Sequence, residues 1–463
     1  MKTVLLGMGL FSHYSDILRS PLAKVLAEHY KIIVLTTHLD RETAEREGFP
    51  LHPNIIYRKI SVENPRLWGF SNKYIRHAFI REYDRWFITQ HWYYRPTHPF
   101  AIRFLTRIGS LFPRRFPSAE FFTKLEGLLA RPSGAFENIY ANEAPVLLIT
   151  ATPGYTPLEA ELIVYARKKR LQTLAININY DNAYSQAKFV RKTDFIFVWN
   201  ERMKKEIAAS HHYDPTTIRI TGCLRFDHYF SDPQESTFKK REVFFSAKGL
   251  DPKKPLIVFT GPSPIMYPPR KEFVSALLAL KEKHLLVEDP NILIRLHPHD
   301  FPEVYEPFRN IPGVRIEQAG KIRITDPKIK GQKVEMDEES LINLTETIRY
   351  ADVVINYVST MIIEASIFDK PIISIGFPEK QRVVNEYEFN KALVDSQCLR
   401  LAESPDALGT WINEYLKHPE RDRENRKKVV REYVFFEDGH SWKRTSDGID
   451  ELMKYTTSHE RPM

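Results

Sequence analysis

The chain has 463 residues, too many for one ordinary hydrophobic core and suited to two domains of about 200 residues each. Its 43% hydrophobic and 27% charged content is that of a soluble globular protein, and no apolar run reaches the roughly 18–20 residues that span a bilayer. Two distant cysteines, Cys223 and Cys398, exclude a disulfide framework and a cysteine-built zinc site, and fit a reducing, cytoplasmic setting. The net charge of +8 is concentrated: residues 66–131 hold 12 Lys and Arg against 4 Asp and Glu, which leaves 55 of each sign elsewhere. The same segment carries 16 of the Phe, Trp and Tyr residues.

In chain order, residues 2–8 read as a buried strand rather than a signal peptide, because the apolar stretch is short and leads into Phe11-Ser12-His13 with no small-residue cleavage pattern. A helix over 19–29 and a β-branched strand from Lys31 to Thr37 follow. After the basic aromatic segment, the pattern predicts strands at Val146–Ala151, Thr173–Asn179, Asp194–Trp199 and Ile218–Thr221. Helices fall between them at Pro157–Arg170, capped by Thr156, and at Glu201–Ser210. A polar stretch from Ser231 to Lys254 reads as a linker and first helix. The alternation then restarts with strands at Leu256–Thr260, Ile292–Leu296, Val314–Glu317, Asp352–Asn356 and Pro371–Ile375, and helices at Lys271–Lys283, Ser340–Tyr350 and Thr360–Phe368. Such alternation implies two doubly wound parallel sheets. The expected domains are 1–235, with a helical basic insertion at 66–140; 236–440; and a last helix over 441–463 packing back on the first.

Ligands of open α/β sheets bind at the carboxyl ends of the strands, where the winding reverses. The unusual polar residues cluster at those ends, and polar ends of both halves facing one another would line a cleft. In the second half, Ser359 and Thr360 open a helix whose free N–H groups would seat a phosphate, with Glu364 one turn further in to accept from ribose hydroxyls. The same residues would also serve as an ordinary cap and a solvated first-turn acid. Arg295, His297 and Pro298 form a strand end able to clamp a diphosphate, and Gly261-Pro262-Ser263 would let backbone approach it. In the first half, His13 on the glycine-containing loop after the first strand is the candidate general base, with Asp181 as the alternative or as its orienting partner. Thr152, Asn182 and Asn200 are candidate acceptor-side residues.

No histidine spacing resembles a zinc site, and there is no Walker lysine loop, no strand–GxGxxG–helix fingerprint and no Asp-x-Asp pair. The expectation is therefore a metal-independent site with no cofactor, its nucleotide-activated donor being a substrate.

Two further stretches, Phe197–Glu206 and Ile220–Asp227, resemble the end of the N-terminal domain of bacterial surface-polysaccharide transferases. Arg295-Leu296-His297-Pro298, Ala351–Tyr357 with Ser359-Thr360, and Phe436-Glu437-Asp438-Gly439-His440-Ser441 resemble donor-side motifs of the CDP-glycerol glycerophosphotransferase family. That pattern is shared with GT-B glycosyltransferases of the UDP-glycosyltransferase/glycogen phosphorylase superfamily. The resemblance covers roughly 140–455, and more weakly 1–40. It departs at His440-Ser441-Trp442-Lys443-Arg444, which keeps part of a serine-pair motif, and at Tyr180, where the family pattern has tryptophan before Asp181-Asn182.

What the resemblance implies is a GT-B transferase with its donor in the C-terminal domain and its acceptor in the N-terminal one, with His13 where many such enzymes carry their base. The expected activity is glycosyl transfer from a nucleotide-activated donor to a glycan or lipid-linked hydroxyl, in surface polysaccharide or glycoconjugate synthesis. A CDP-glycerol donor, a UDP-sugar epimerase on the same fold and a non-enzymatic nucleic-acid-binding protein are the alternatives. The epimerase reading lacks an acid- and arginine-rich loop after the first strand. The basic segment reads either as an inserted helical lid with core aromatics and solvated arginines or as a surface for peripheral contact with the inner face of an anionic membrane, which it suits better than nucleic acid.

Overall fold

A computed structural model describes residues 1–71, 119–131, 133–185, 189–230, 238–264, 270–324, 333–357, 359–378 and 383–455, with positions 100, 101, 104, 108 and 267. Most of the expected helical insertion at 66–140 lies outside the described residues. Two compact units emerge: Met1–Asp227 with Phe436–Met463, and His228–Phe435.

The first unit holds seven parallel strands: β1 (Thr3–Gly7), β2 (Lys31–Thr36), β3 (Ile55–Lys59), β4 (Leu147–Thr150), β5 (Gln172–Ala175), β6 (Phe195–Val198) and β7 (Ile218–Ile220). Their order is β3-β2-β1-β4-β5-β6-β7. Winding therefore reverses between β1 and β4, which pair through Val4–Leu147 to Gly7–Thr150. Both faces of this sheet are covered, which is why its strands read as unbroken apolar runs. Val4, Leu6, Ile32 and Val34 enter one core, while Leu5, Ile33 and Leu35 enter the other. Each core buries more than ten large side chains, at roughly 1.5–3 kcal/mol apiece.

The second unit holds six parallel strands, β8 (Leu256–Thr260), β9 (Asn291–Leu296), β10 (Val314–Gln318), β13 (Val353–Asn356), β14 (Ile372–Ile375) and β15 (Arg400–Ala402), in the order β10-β9-β8-β13-β14-β15. A small antiparallel hairpin, β11 (Lys321–Ile324) and β12 (Lys333–Glu335), stands apart from that sheet. Here the winding reverses between β8 and β13, where Thr260 sits opposite Asn356.

The unit boundary falls at Asp227 rather than at residue 235, and Phe436–Ser441 belongs to the first unit rather than to the second. The reason is local. The buried Asp227 carboxylate accepts from the backbone N–H of Ser441 at 3.0 Å and of Trp442 at 2.8 Å, capping the last helix, Ser441–Tyr455. That helix is tied further to the first unit by Tyr30–Asp450 (2.7 Å) and Lys2 to the Met453 carbonyl (2.9 Å). Gly222 makes room for it, since a Cβ there would meet Ser441 Oγ at 2.4 Å.

Candidate functional site

In the first unit, the loop after β1 closes on the loop after β4. Gly9 permits this: a Cβ at that position would lie 2.1 Å from Thr156 Oγ1. His13 then falls on a helix, Phe11–Leu18, rather than on the loop that the glycines suggested. It is 6% exposed, and its Nδ1 has no hydrogen-bond partner. Glu159 Oε1 stands 3.6 Å from it, just beyond hydrogen-bond length.

Glu159 is fully buried on the helix Pro157–Lys168 and completes a capping box with Thr156. Its carboxylate accepts from Thr152 Oγ1 at 2.6 Å, Thr152 N at 3.3 Å, Thr156 Oγ1 at 3.1 Å and Thr156 N at 3.3 Å. Thr152, expected on the acceptor side, thus has its hydroxyl turned to Glu159.

One turn along from His13, buried Asp16 accepts from Asn177 Nδ2 (3.0 Å), Arg225 Nη2 (2.8 Å) and Arg225 Nε (3.2 Å). Burial opposes ionisation of Asp16, but the Arg225 guanidinium outweighs it and holds the carboxyl below its ordinary value. Asp181 moves the other way. Burial raises it above the ordinary carboxylate range, against a hydrogen bond from Ser185 at 2.9 Å.

The two asparagines have structural work. Asn182 Oδ1 accepts from Asn179 N at 2.7 Å and closes a turn. Asn200 is buried and accepts from Met203 N at 2.9 Å, capping the helix Glu201–His211.

In the second unit, the three strand ends that carried candidates are neighbours: β9, β8 and β13. Gly261 N donates to the Arg295 carbonyl at 2.9 Å, and a Cβ on Gly261 would sit 3.5 Å from His297 N. Ser263, two residues on, accepts at its carbonyl from Tyr267 N (2.9 Å). His297 Nδ1 accepts from His299 N at 3.0 Å. Burial, with the neighbouring His299 charge, lowers His297 to about 4. The imidazole is therefore neutral at pH 7, with its proton on Nε2, and acts as a hydrogen-bond donor. Pro298 follows and ends β9.

Two of the candidate groups have partners within their own unit. Arg295 is buried and paired with Glu317 (2.6 Å) and Asn343 Oδ1 (2.8 Å), while Glu317 also pairs with Lys248, so this guanidinium braces its own sheet. The helix after β13 begins at Met361 and is only seven residues long. Its first N–H groups are taken: Met361 by Ser359 Oγ (3.2 Å), Ile362 by the Ser359 carbonyl (3.2 Å), and Ile363 and Glu364 by the Thr360 carbonyl (2.9 and 3.1 Å). The free phosphate seat expected from the Ser-Thr sequence is thus largely filled by local turns. Glu364 is buried rather than solvated, and accepts from the Tyr229 hydroxyl.

Sequence reasoning passed over Asn356, the last residue of β13. It is 0% exposed, yet both its Oδ1 and Nδ2 lack a partner. An unpaired buried amide costs about 1–3 kcal/mol per group, so a polar ligand or an ordered water that paired it would be favoured there. Asn at the end of a strand at the reversal point was the signal available. Glu159 was missed because a capping-box acid has a sufficient local explanation.

No group of three or more His, Cys, Asp or Glu among the described residues is placed to hold a metal ion, and no helix among them is long and apolar enough to cross a membrane.

The chain matches no family model and no curated protein. Solved structures do match. It is similar over the whole of both chains to a Listeria monocytogenes protein assigned as a UDP-N-acetylglucosamine 2-epimerase, with a TM-score of 0.56 and 15% identity. Against S. aureus MnaA, solved with UDP, the TM-score is 0.55 with 13% identity, covering 100% of this chain and 99% of that one. Against the wall teichoic acid polymerase TagF it is 0.54 with 10% identity, covering 99% and 90%. At such identities the likeness is one of fold, and that fold is GT-B.

Proposed function

We propose that this GT-B protein is an enzyme of nucleotide-activated sugars: a transferase that moves a glycosyl unit from a nucleotide donor to a hydroxyl acceptor in surface polysaccharide or glycoconjugate synthesis. The observation that carries the reading is the gathering of Gly261, His297 and Ser359-Thr360 on three adjacent strand ends at the reversal point of the second sheet, beside the unpaired amide of Asn356. The solved neighbours include one holding UDP and one soaked with CDPG, which agrees with a nucleotide ligand.

In this reading the donor phosphates lie against Gly261 and accept from His297 Nε2–H and the hydroxyls of Ser359 and Thr360, with Ser263 and Pro298 shaping the loops. Arg295 positions β9 through Glu317 and does not clamp the phosphate itself. Glu364 reaches a ribose only by exchanging its bond from Tyr229. In the first unit, His13 Nε2 takes the proton of the acceptor hydroxyl. The acceptor oxygen bonds to the anomeric carbon, and the bond from that carbon to the phosphate oxygen breaks. Glu159, facing Nδ1, holds the ring and stabilises the imidazolium as it forms. Asp181, its carboxyl raised by burial, is the alternative base. Departing phosphate charge is met by preorganised N–H and O–H dipoles, with no cofactor or metal in the scheme. The setting proposed is cytoplasmic, peripheral on an anionic membrane, with a lipid-linked acceptor.

Incubation of UDP-sugars and CDP-glycerol with the protein, followed by proton NMR, separates the activities. Transfer predicts nucleotide release only when an acceptor-containing lipid extract is added. Conversion of a UDP-sugar to its epimer without acceptor would instead establish the epimerase, and consumption of CDP-glycerol alone among the donors the glycerophosphotransferase.

A further inference from the structure

The loop after β9 folds as a four-residue turn, His297-Pro298-His299-Asp300, closed by Asp300 N donating to the His297 carbonyl at 2.8 Å. Pro298 stands at its second position, where the ring's fixed φ suits such a turn. Inside the turn, His299 N donates to His297 Nδ1 at 3.0 Å, which leaves the proton of the neutral ring on Nε2. His297 thus takes its ring direction from the backbone of the turn, and the turn is only as fixed as its last residue.

That last residue is clamped from two other segments of the second unit. The buried Asp300 carboxylate accepts from Arg270 Nε at 2.7 Å to each oxygen and from Arg270 Nη2 as well. Its Oδ2 also accepts from the Tyr305 hydroxyl at 2.7 Å, and its Oδ1 from Phe301 N at 2.8 Å. Arg270 directly precedes the helix Lys271–Glu282, which follows β8, and Tyr305 sits in the short 3₁₀ helix Pro302–Phe308. Both side chains are buried. One carboxylate therefore ties the turn that carries His297 to the segment after β8 and to the 3₁₀ helix beyond it. A bidentate arginine fixes direction as well as distance.

We propose that Asp300, held by Arg270 and Tyr305, is a positioning residue that fixes the His297 imidazole as the Nε2–H donor of the nucleotide site. Naming the ligand a nucleotide rests on the donor assignment above; the state of the ring is read without one. Asp300 acts through the ring and not on the ligand. The direction in which His297 titrates separates positioning from charge. Burial holds His297 at about 4, with His299 and Arg270 adding to this and Asp300 opposing it. Removing the Arg270 and Asp300 charges together takes away one group that lowers His297 and one that raises it. Charge alone then leaves the ring where it was or slightly lower, whereas a released turn admits water and moves it up toward 6.5.

The test is nitrogen-15 NMR of the full chain labelled at histidine, with His297→Gln to assign the ring signals, followed by titration with UDP, GDP and CDP. Wild type should show a single His297 tautomer at pH 7, protonated at Nε2. Asp300→Asn alone leaves the buried Arg270 charge uncompensated and can unfold the unit, so the neutral pair Arg270→Gln/Asp300→Asn and the milder Tyr305→Phe are used. The neutral pair should give a mixture of both tautomers and a midpoint raised toward 6.5, and Tyr305→Phe a smaller change in the same direction. Nucleotide affinity should fall about tenfold in the neutral pair, and no further when His297→Gln is added. An unchanged tautomer, a midpoint that stays or drops, or affinity losses that add to those of His297→Gln would overturn the proposal. A wild-type chain that binds none of the three nucleotides would sink the donor reading instead, and the tautomer and midpoint would still decide whether Asp300 positions His297.

Discussion

Nδ1 of His13 stands 3.6 Å from Oε1 of Glu159, a carboxylate already held by four donated contacts from Thr152 and Thr156. The acid is fixed and the imidazole is not otherwise engaged at that nitrogen, so Glu159 sets the direction in which the ring can act. His13→Ala should lower turnover by about 10²–10⁴-fold with nucleotide affinity unchanged. Glu159→Gln should cost roughly tenfold. The double variant should be no worse than His13→Ala alone, because the two act as one unit. Additive losses would show that the two residues act independently.

His297 gives a pH signature. Unfolded, it takes up a proton as pH falls through about 6.5; folded, burial delays this to about 4. The stability it contributes is therefore present above pH 6.5 and falls as the pH drops from there toward 4. Neighbouring Asp300 opposes the shift, while His299 and Arg270 reinforce it. Thermal midpoints of wild type and His297→Gln, measured across that window, should diverge at neutral pH and converge toward pH 4.

Asn356 should show a conflict between stability and function. Replacing it with leucine removes two unpaired buried groups, and should stabilise the second unit by about 1–2 kcal/mol while weakening nucleotide binding. Denaturant unfolding and a binding titration on the same protein check both signs. A destabilised variant would mean that the amide has a structural partner such as buried water.

Asp227 holds the first unit together from two distant stretches of chain. Asp227→Ala leaves the Ser441 and Trp442 N–H groups without their acceptor and should cost about 1–2 kcal/mol. Hydrogen exchange should localise the loss to Ser441–Tyr455, with little change in His228–Phe435.

Both sheets were legible because parallel strands buried on two faces leave continuous apolar runs, as in Leu256–Thr260 and Val353–Asn356. Two of the four edge strands were not: Arg400–Ala402 has three residues and Ile55–Lys59 ends in two exposed ones, so neither carries the pattern. At the candidate site, residue type and strand-end position placed His297 and Gly261 but could not reveal competing partners. The Arg295–Glu317 pair joins residues more than twenty positions apart on neighbouring strands, so strand-end position alone did not disclose it. Ser359 Oγ and carbonyl accept from the N–H groups of Met361 and Ile362, which leaves its hydroxyl proton, and not the helix N–H groups, to meet a phosphate. Asp227 and Ser441 lie 214 residues apart, a relation no local pattern encodes.

The most direct measurement is equilibrium binding of UDP, GDP, CDP, CMP and CDP-glycerol to the wild-type chain and to Gly261→Ala. A Cβ at Gly261 meets its own protein only at ordinary contact distance, 3.5 Å, so this variant should fold as wild type does and lose affinity only if a ligand lies against that glycine. The account predicts selective binding of one nucleotide class, weakened about tenfold or more in Gly261→Ala with an unchanged thermal midpoint. No binding to any of the five, or binding that Gly261→Ala leaves untouched, would contradict the assignment of a nucleotide donor to the second unit.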